Sequence, residues 1–315
     1  MTGIYYHDLF GRHLDGYGHV ESPARYRAVM ERLRNCPCTG LLEFVEALPA
    51  ERDMIAAVHD HGYVDSILSL EIDEAVVLDW GDTVATPDTP RAALYAAGAA
   101  LQAAGDILAG RFANAFCPVR PPGHHAESGR AMGFCIFNNI AIAARWLTSG
   151  AGLERVAIID WDIHHGNGTE RMFQDDPRVL YISLHQYPHY PGTGHLNMVG
   201  TGEGTGYTLN IPLGAGADDA EYRDEFGKRV VPAIDGFEPQ MILISAGFDA
   251  HAEDPLSGAM LSSGMFGEMT AMLADAASRH CGGRMLSLLE GGYDLDALAD
   301  SVEAHVAALA RAGER

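Results

Sequence analysis

The sequence predicts an α/β fold: a single, mainly parallel sheet with helices on both faces. Three observations carry this. From about residue 113 onward, short β-branched or apolar runs alternate with longer amphipathic segments, as strands and crossover helices do. Those runs are predominantly apolar, which suits strands covered on both sides. The 315 residues are 47% hydrophobic and 20% charged, enough to close a core and too apolar for large-scale disorder. No repeat, low-complexity tract or linker divides the chain, so residues 1–315 read as a single domain.

Taken in order, the strands are expected at 113–119, 156–160, 179–184, 207–211, 241–245 and 285–289, with helices at 138–148, 220–234 and 263–279. The Ala-rich stretch at 92–110 is broken by Gln102 and Asp106, which argues against a membrane span. The polar signatures follow the carboxyl ends of the strands: RPPGHH, DWDIHHGNGT, SLH, GFDAH and EGGYD. In an open parallel sheet ligands bind beyond that edge, so five segments remote in sequence are expected to meet there. The loops at 120–137 and 185–206 are longer than ordinary connections, and long ordered loops tend to carry function.

Lys plus Arg number 21 against 43 Asp plus Glu, a net charge of −22, which repels phosphate backbones and argues against nucleic-acid binding. The opening MTGIYYHDLF lacks a basic stretch followed by an apolar run, so no secretory signal is visible and a cytoplasmic, membrane-free protein is expected. Cys36, Cys38, Cys117, Cys135 and Cys281 are too few and too scattered for a disulfide framework and read as thiols. Cys36 and Cys38 are separated by one residue, not the two of a zinc knuckle or redox pair.

Asp162 and His164 lie just past the strand at 156–160, where an extended chain would turn both to one side. Asp249, just past the strand at 241–245, is the best third partner for a catalytic metal site, which commonly has three protein ligands and an open position. Alone, an Asp-X-His or an Asp before a helix is more often a cap or a loop hydrogen bond; the shared sheet edge changes that. Two carboxylates and an imidazole suit zinc and leave iron(II) open. His124 and His125 follow a Pro-Pro turn that would fix two imidazoles able to move protons, with Asp160 and Asn167 available to orient them. Tyr293, after Gly291 and Gly292, can donate a hydrogen bond to an oxyanion. Phe134 and Tyr190, in the long loops, can wall a narrow pocket.

RPPGHH, GFCIFNN, DWDIHHGNGT, SLHQYPHYPGTG, SAGFDAHAEDPL and LEGGYD together resemble the zinc-dependent histone deacetylase superfamily, in its class II and bacterial amidohydrolase-like branch. The six segments stand in family order and span nearly the whole chain. The resemblance implies the arginase/deacetylase fold, zinc held by Asp162, His164 and Asp249, His125 as general base and acid with His124 beside it, and Tyr293 polarising the carbonyl. It pairs Asp160 with His124 and puts Asn167 where other branches have Asp, a departure that bears on His125. It makes Phe134 and Tyr190, with Gly133 and Gly292 beside them, the walls of an acyl-lysine tunnel, and matches Arg25 to an arginine of an acetate-release channel. Structural potassium is implied at Asp160, Asp162, His164, Ser183 and Leu184, and at a second site of Phe173, Asp176, Val179 and Tyr207.

The activity so implied is removal of acetyl or other acyl groups from the lysine side-chain amine of a protein or peptide. The runner-up is hydrolysis of small acetylated amines such as acetylpolyamines. Polyamine-selective relatives in this branch carry a glutamate after the Asp-Pro pair, where this chain has Leu256. A third reading, a non-catalytic acetyl-lysine binder, predicts a lost ligand, base or phenol, and none is missing.

Overall fold

The computed structural model describes residues 1–79, 81 and 83–314. Among these, the strands are β1 (Thr2–Tyr6), β2 (Leu42–Glu46), β3 (Val76–Val77), β4 (Val84–Ala85), β5 (Asn114–Cys117), β6 (Val156–Asp160), β7 (Val179–Gln186), β8 (Thr208–Leu213), β9 (Met241–Ala246) and β10 (Met285–Leu289). The helices are α1 (Pro23–Asn35), α2 (Arg52–Ile55), α3 (His61–Leu68), α4 (Thr89–Leu108), α5 (Asn139–Arg145), α6 (Asn167–Phe173), α7 (Asp219–Glu225), α8 (Val231–Phe237), α9 (Ser263–His280) and α10 (Leu295–Ala312). β3 and β4 form a small antiparallel pair; the other eight make one sheet of order β2-β1-β5-β10-β9-β6-β7-β8. Every neighbouring pair in that sheet is parallel.

Alternate residues of each apolar strand enter opposite layers, as the pleat requires. Ala157 and Ile159 of β6 and Ile242 and Ile244 of β9 pack with Val29 of α1, Leu273 of α9 and Val306 of α10. Their neighbours Val156, Ile158, Met241 and Leu243 pack with Ala96, Ala100 and Ala103 of α4 and Ile140 of α5. Full burial on both faces is why these strands read as continuous apolar runs, each Ile or Leu contributing about 1.5–3 kcal/mol. The Ala-rich stretch is α4, lying against the sheet, and among the described residues no helix is long and apolar enough to cross a membrane.

The expected strands from 113 onward all form, within two residues at each end. The helix expected at 138–148 is α5 continued by a π turn at Trp146–Gly150, and that at 220–234 is α7 and α8 joined by a π turn at Phe226–Val230. The first 112 residues add β1 and β2, which complete one end of the sheet. Register then gathers the motifs: Cys117, Leu288, Ser245, Asp160 and Ser183 stand side by side across β5, β10, β9, β6 and β7. The segments leaving these five positions are the five polar signatures.

Candidate active site

Asp162, His164 and Asp249 are buried, and one potential ligand atom from each lies within 4.8 Å of the others. β6 stops at Asp160, so a turn rather than the pleat brings Asp162 and His164 together, with the His164 N–H donating to Asp162 Oδ1 at 2.9 Å. Further backbone donors hold the carboxylates. Gly291 N–H donates to Asp162 Oδ2 at 2.8 Å and Ile163 N–H to Asp249 Oδ1 at 2.9 Å. His164 Nδ1 is 2.9 Å from Asp249 Oδ2 and 3.2 Å from Asp162 Oδ1.

The electrostatics of the group suit a cation. Burial disfavours an imidazolium, yet hydrogen bonds to Asp162 and Asp249 raise the His164 pKa to about 10. Burial and the charge of Asp162 push Asp249 up to about 7. Two carboxylates packed this closely need a positive partner, and a divalent ion fits the donor set. Glycines keep the space open: a Cβ at Gly247 or at Gly291 would collide with Asp162 Oδ2.

A second buried cluster, His124, Cys135 and Glu290, has ligand atoms within the same distance. Its donors are engaged otherwise: Glu290 Oε2 accepts from Gly123 N and His124 N at 2.7 and 3.1 Å, and the Cys135 thiol faces Gly133 O. Burial also pushes that thiol well above its ordinary pKa, away from the thiolate a metal needs.

The two adjacent histidines are held in different states. His124 Nδ1 lies 3.1 Å from Asp160 Oδ2. Burial opposes its charge, but Asp160 and Asp162 prevail and raise its pKa to about 10. His125 Nδ1 lies 2.8 Å from Asn167 Oδ1, a neutral partner. Burial, then the neighbouring charges of His124 and His164, hold its pKa well below the ordinary value. The two environments thus favour a charged His124 and a neutral His125.

Beside them opens a cavity of about 510 Å³, whose lining includes His125, His164, Gly133, Phe134, Tyr190 and Tyr293. Gly133 and Phe134 both have positive φ, +55° and +67°, a conformation unusual for phenylalanine. A Cβ at Gly133 would stand 2.5 Å from His125 Cδ2, so that position requires glycine on both counts. The Tyr293 ring meets Phe134 edge-on with centroids 6.0 Å apart, and the Arg25 guanidinium lies 4.9 Å from its centre. Burial raises the Tyr293 pKa well above 10, which keeps the phenol protonated. Asp254 anchors this rim by accepting from Tyr293 N at 2.7 Å and Leu256 N at 3.0 Å.

Leu256 lines the cavity, whereas Gly292 lies behind Tyr293 with its carbonyl accepting from Arg25 Nε at 2.5 Å. Arg25 also donates to Glu290 O and Glu21 Oε1, inside a fully buried ion network that includes Arg120. Asp160 and Ser183 are register partners, and the Ser183 hydroxyl pairs with His185 Nδ1 at 2.9 Å. Leu184 follows in β7. Phe173, Asp176, Val179 and Tyr207 are grouped where α6 meets β7: Asp176 N donates to Phe173 O, Val179 N to Asp176 O and Tyr181 N to Tyr207 O. The Asp176 carboxylate is bound by Arg145 and Arg178, each at 2.7 Å.

Sequence reasoning missed Glu290, Glu21 and His189. The His189 ring stacks on His164 at 4.9 Å and its Nε2 lies 3.0 Å from Leu256 O, which joins the two loops across the cavity. Glu290 stood in plain view within LEGGYD, but its partners lie more than 160 residues away.

All of these residues lie within 19–309, the stretch matched by a family model described as "Histone deacetylase domain". The chain is 41% identical over 300 residues to "Histone deacetylase 10, chloroplastic" of Oryza sativa, covering 90% of this chain and 68% of that one. It is 40% identical to a "Probable deacetylase" of Archaeoglobus fulgidus, with 94% and 82% covered, and 40% identical to the "Histone deacetylase-like amidohydrolase" of Pseudomonas aeruginosa, with 88% and 73% covered. The crystal structure of the HDA15 HD domain superposes with a TM-score of 0.92 at 37% identity, over 98% of this chain and 88% of that one.

Proposed function

Since the chain belongs to the histone deacetylase family of hydrolases, with its arginase/deacetylase fold, we propose that it is a zinc-dependent amidohydrolase. In this reading it removes acetyl or other acyl groups from the side-chain amine of lysine in a protein or peptide. The supporting observation is that His164 of the buried Asp-His-Asp group, His125 and the Tyr293 phenol line one aromatic-walled cavity.

Asp162, His164 and Asp249 would hold the zinc, with iron(II) the other ion that such donors accept. Bound there, the ion supplies Lewis-acid polarisation of the amide carbonyl and lowers the pKa of water. The protein's own groups do the rest. His125, neutral and with Nδ1–H turned to Asn167, takes the proton of the attacking water on Nε2. His124 keeps its proton beside Asp160 and lends positive charge to the site. The Tyr293 hydroxyl donates to the carbonyl oxygen as it gains negative charge. As the C–N bond breaks, His125 returns the proton to the nitrogen, and free amine and acetate leave. Phe134 and Tyr190 flank the alkyl chain and exclude water from the reacting bond. Structural potassium is part of the same reading: the first site would draw on the oxygens around Asp160, whose carboxylate also meets His124 and Tyr181, and the second on main-chain oxygens, since Asp176 is neutralised by two arginines.

Acetyl-lysine is favoured over acetylpolyamines because no carboxylate lines the cavity among the described residues and Leu256 offers an apolar rim. The test is turnover of an acetyl-lysine peptide and of N-acetylputrescine by purified protein of measured metal content. We expect one zinc per chain, a higher kcat/KM for the peptide and suppression by a hydroxamate. Metal-free, inactive protein that still binds the peptide would overturn the assignment in favour of a binding module, and a higher kcat/KM for the putrescine would overturn the substrate.

A further inference from the structure

We propose that Glu127 is a positioning residue for the general base: through the Asn167 amide it fixes which nitrogen of His125 carries the proton. This rests on the role given to His125 above.

The two ends of a side-chain amide are not equivalent partners for an imidazole. A carboxylate at position 167 would accept from His125 Nδ1 in either orientation, and asparagine would not. If its oxygen faces the ring, Nδ1 must carry the hydrogen and Nε2 is free to take a proton. If its NH₂ faces the ring, the hydrogen moves to Nε2 and the base is disabled. Something beyond Asn167 has to choose.

Glu127 is the nearest acceptor able to do so, the His125 carbonyl and Met132 Sδ each lying 3.5 Å from Asn167 Nδ2. Asn167 Nδ2 lies 3.0 Å from Glu127 Oε1, while Oδ1 lies 2.8 Å from His125 Nδ1. An ionised carboxylate only accepts, so it captures the NH₂ and leaves the oxygen for the imidazole. Burial works against the Glu127 anion, but Arg130 and Asn167 outweigh it and hold its pKa below the ordinary value. Arg130 donates to both carboxylate oxygens, at 2.9 and 3.1 Å, and Arg171 lies 3.6 Å from Oε2. The backbone is pinned as well: Glu127 and Arg130 form a bridge, and Glu127 O meets His59 Nδ1 at 2.9 Å. The carboxylate is therefore preorganised before substrate arrives.

The experiment combines Glu127→Ala, Glu127→Gln, Asn167→Asp and the Glu127→Ala/Asn167→Asp double variant. Zinc-loaded protein labelled with ¹⁵N-histidine is examined by long-range ¹H–¹⁵N correlation, with His125→Gln assigning the ring signal, and kcat and KM are measured on an acetyl-lysine peptide. We expect wild type to show the Nδ1–H form of His125. Glu127→Ala should shift population to Nε2–H and lower kcat by about 10–100-fold with KM little changed. Glu127→Gln keeps an oxygen that Arg130 can hold toward Asn167 but can also turn its own NH₂ there, so it should restore part of both. In the Asn167→Asp background, where no amide can turn, Glu127→Ala should cost nothing further. An unchanged tautomer and kcat in Glu127→Ala, a Glu127→Gln protein as impaired as Glu127→Ala, or an equal loss in the Asn167→Asp background would each overturn the proposal. If wild type proved inactive on acetyl-lysine, the substrate assignment would fail, while the tautomer spectra would still decide the part played by Glu127.

Discussion

Gly291→Ala probes the metal cradle without altering any ligand. Gly291 does not have a positive φ, so alanine is allowed by the backbone and the effect is steric. Its Cβ would collide with Asp249 Oδ2 and stand 2.6 Å from Asp162 Oδ2, where ordinary contact begins at 3.4 Å. Both carboxylates must therefore withdraw together, Asp162 Oδ2 by roughly 0.8 Å and Asp249 Oδ2 by more, because they share the obstacle. Misplacement approaching 1 Å in a catalytic site costs about 100-fold in rate, and overpacking of this kind costs about 1–3 kcal/mol of stability. We expect kcat/KM to fall about 100-fold, zinc to exchange more readily to a chromogenic chelator, and the thermal transition to drop by a few degrees. Gly236→Ala, where a Cβ meets nothing within 4 Å, serves as the control and should leave all three unchanged or raise the transition slightly. A Gly291→Ala protein that retains one tightly held zinc and full turnover would refute the reasoning.

Three other expectations follow from the same geometry. Tyr293→Phe removes an oxyanion donor and should lower kcat by about 100–1,000-fold, checked by steady-state turnover with zinc content held equal; unchanged kcat would count against the phenol's role. Leu256→Glu introduces a carboxylate at the rim and should raise the ratio of kcat/KM for N-acetylputrescine to that for acetyl-lysine peptide by about tenfold at low salt, declining as salt screens the charge. Burial depresses the pKa of His59 to about 4 and of His185 and His305 to about 3. Below the ordinary value near 6.5 the unfolded chain binds protons that these folded sites refuse, so each costs about 2 kcal/mol of stability by pH 5. Glu290 and, without a bound metal, Asp249, both raised by burial to about 7, act in the opposite sense and offset roughly two of them, while His125, held well below its ordinary value, adds to the cost. Thermal unfolding should accordingly shift to lower temperature between pH 7 and pH 5, and a flat or rising profile would contradict the assignment of these histidines as neutral.

The central strands were legible because they are buried on both faces: VAIID and MLSLL are apolar at four of five positions each, and their boundaries came out as expected. β1 and β2 were not. Thr2–Tyr6 contains Gly3, whose missing side chain makes room for Tyr5 and Phe112, and Leu42–Glu46 is a short edge strand with Glu at positions 43 and 46. Neither makes an apolar run. At the site, Asp162, His164, Asp249 and Tyr293 could be read from strand ends because the chemistry travels with the local motif. His189, Glu21 and Glu127 could not, because each matters through a partner that only tertiary packing supplies: the His164 ring, the Arg120 guanidinium and the Asn167 amide. Cys135 and Glu290 show the converse, a ligand-like cluster by proximity whose donors are already committed within the protein.

Anomalous diffraction from crystals grown with zinc, recorded on either side of its absorption edge, tests most directly whether remote side chains converge on one ion. We expect a single strong peak about 2.0–2.2 Å from one atom each of Asp162, His164 and Asp249, on the side open to Tyr293. A peak instead beside His124, Cys135 and Glu290, or none at the Asp-His-Asp group in fully folded protein, would contradict it.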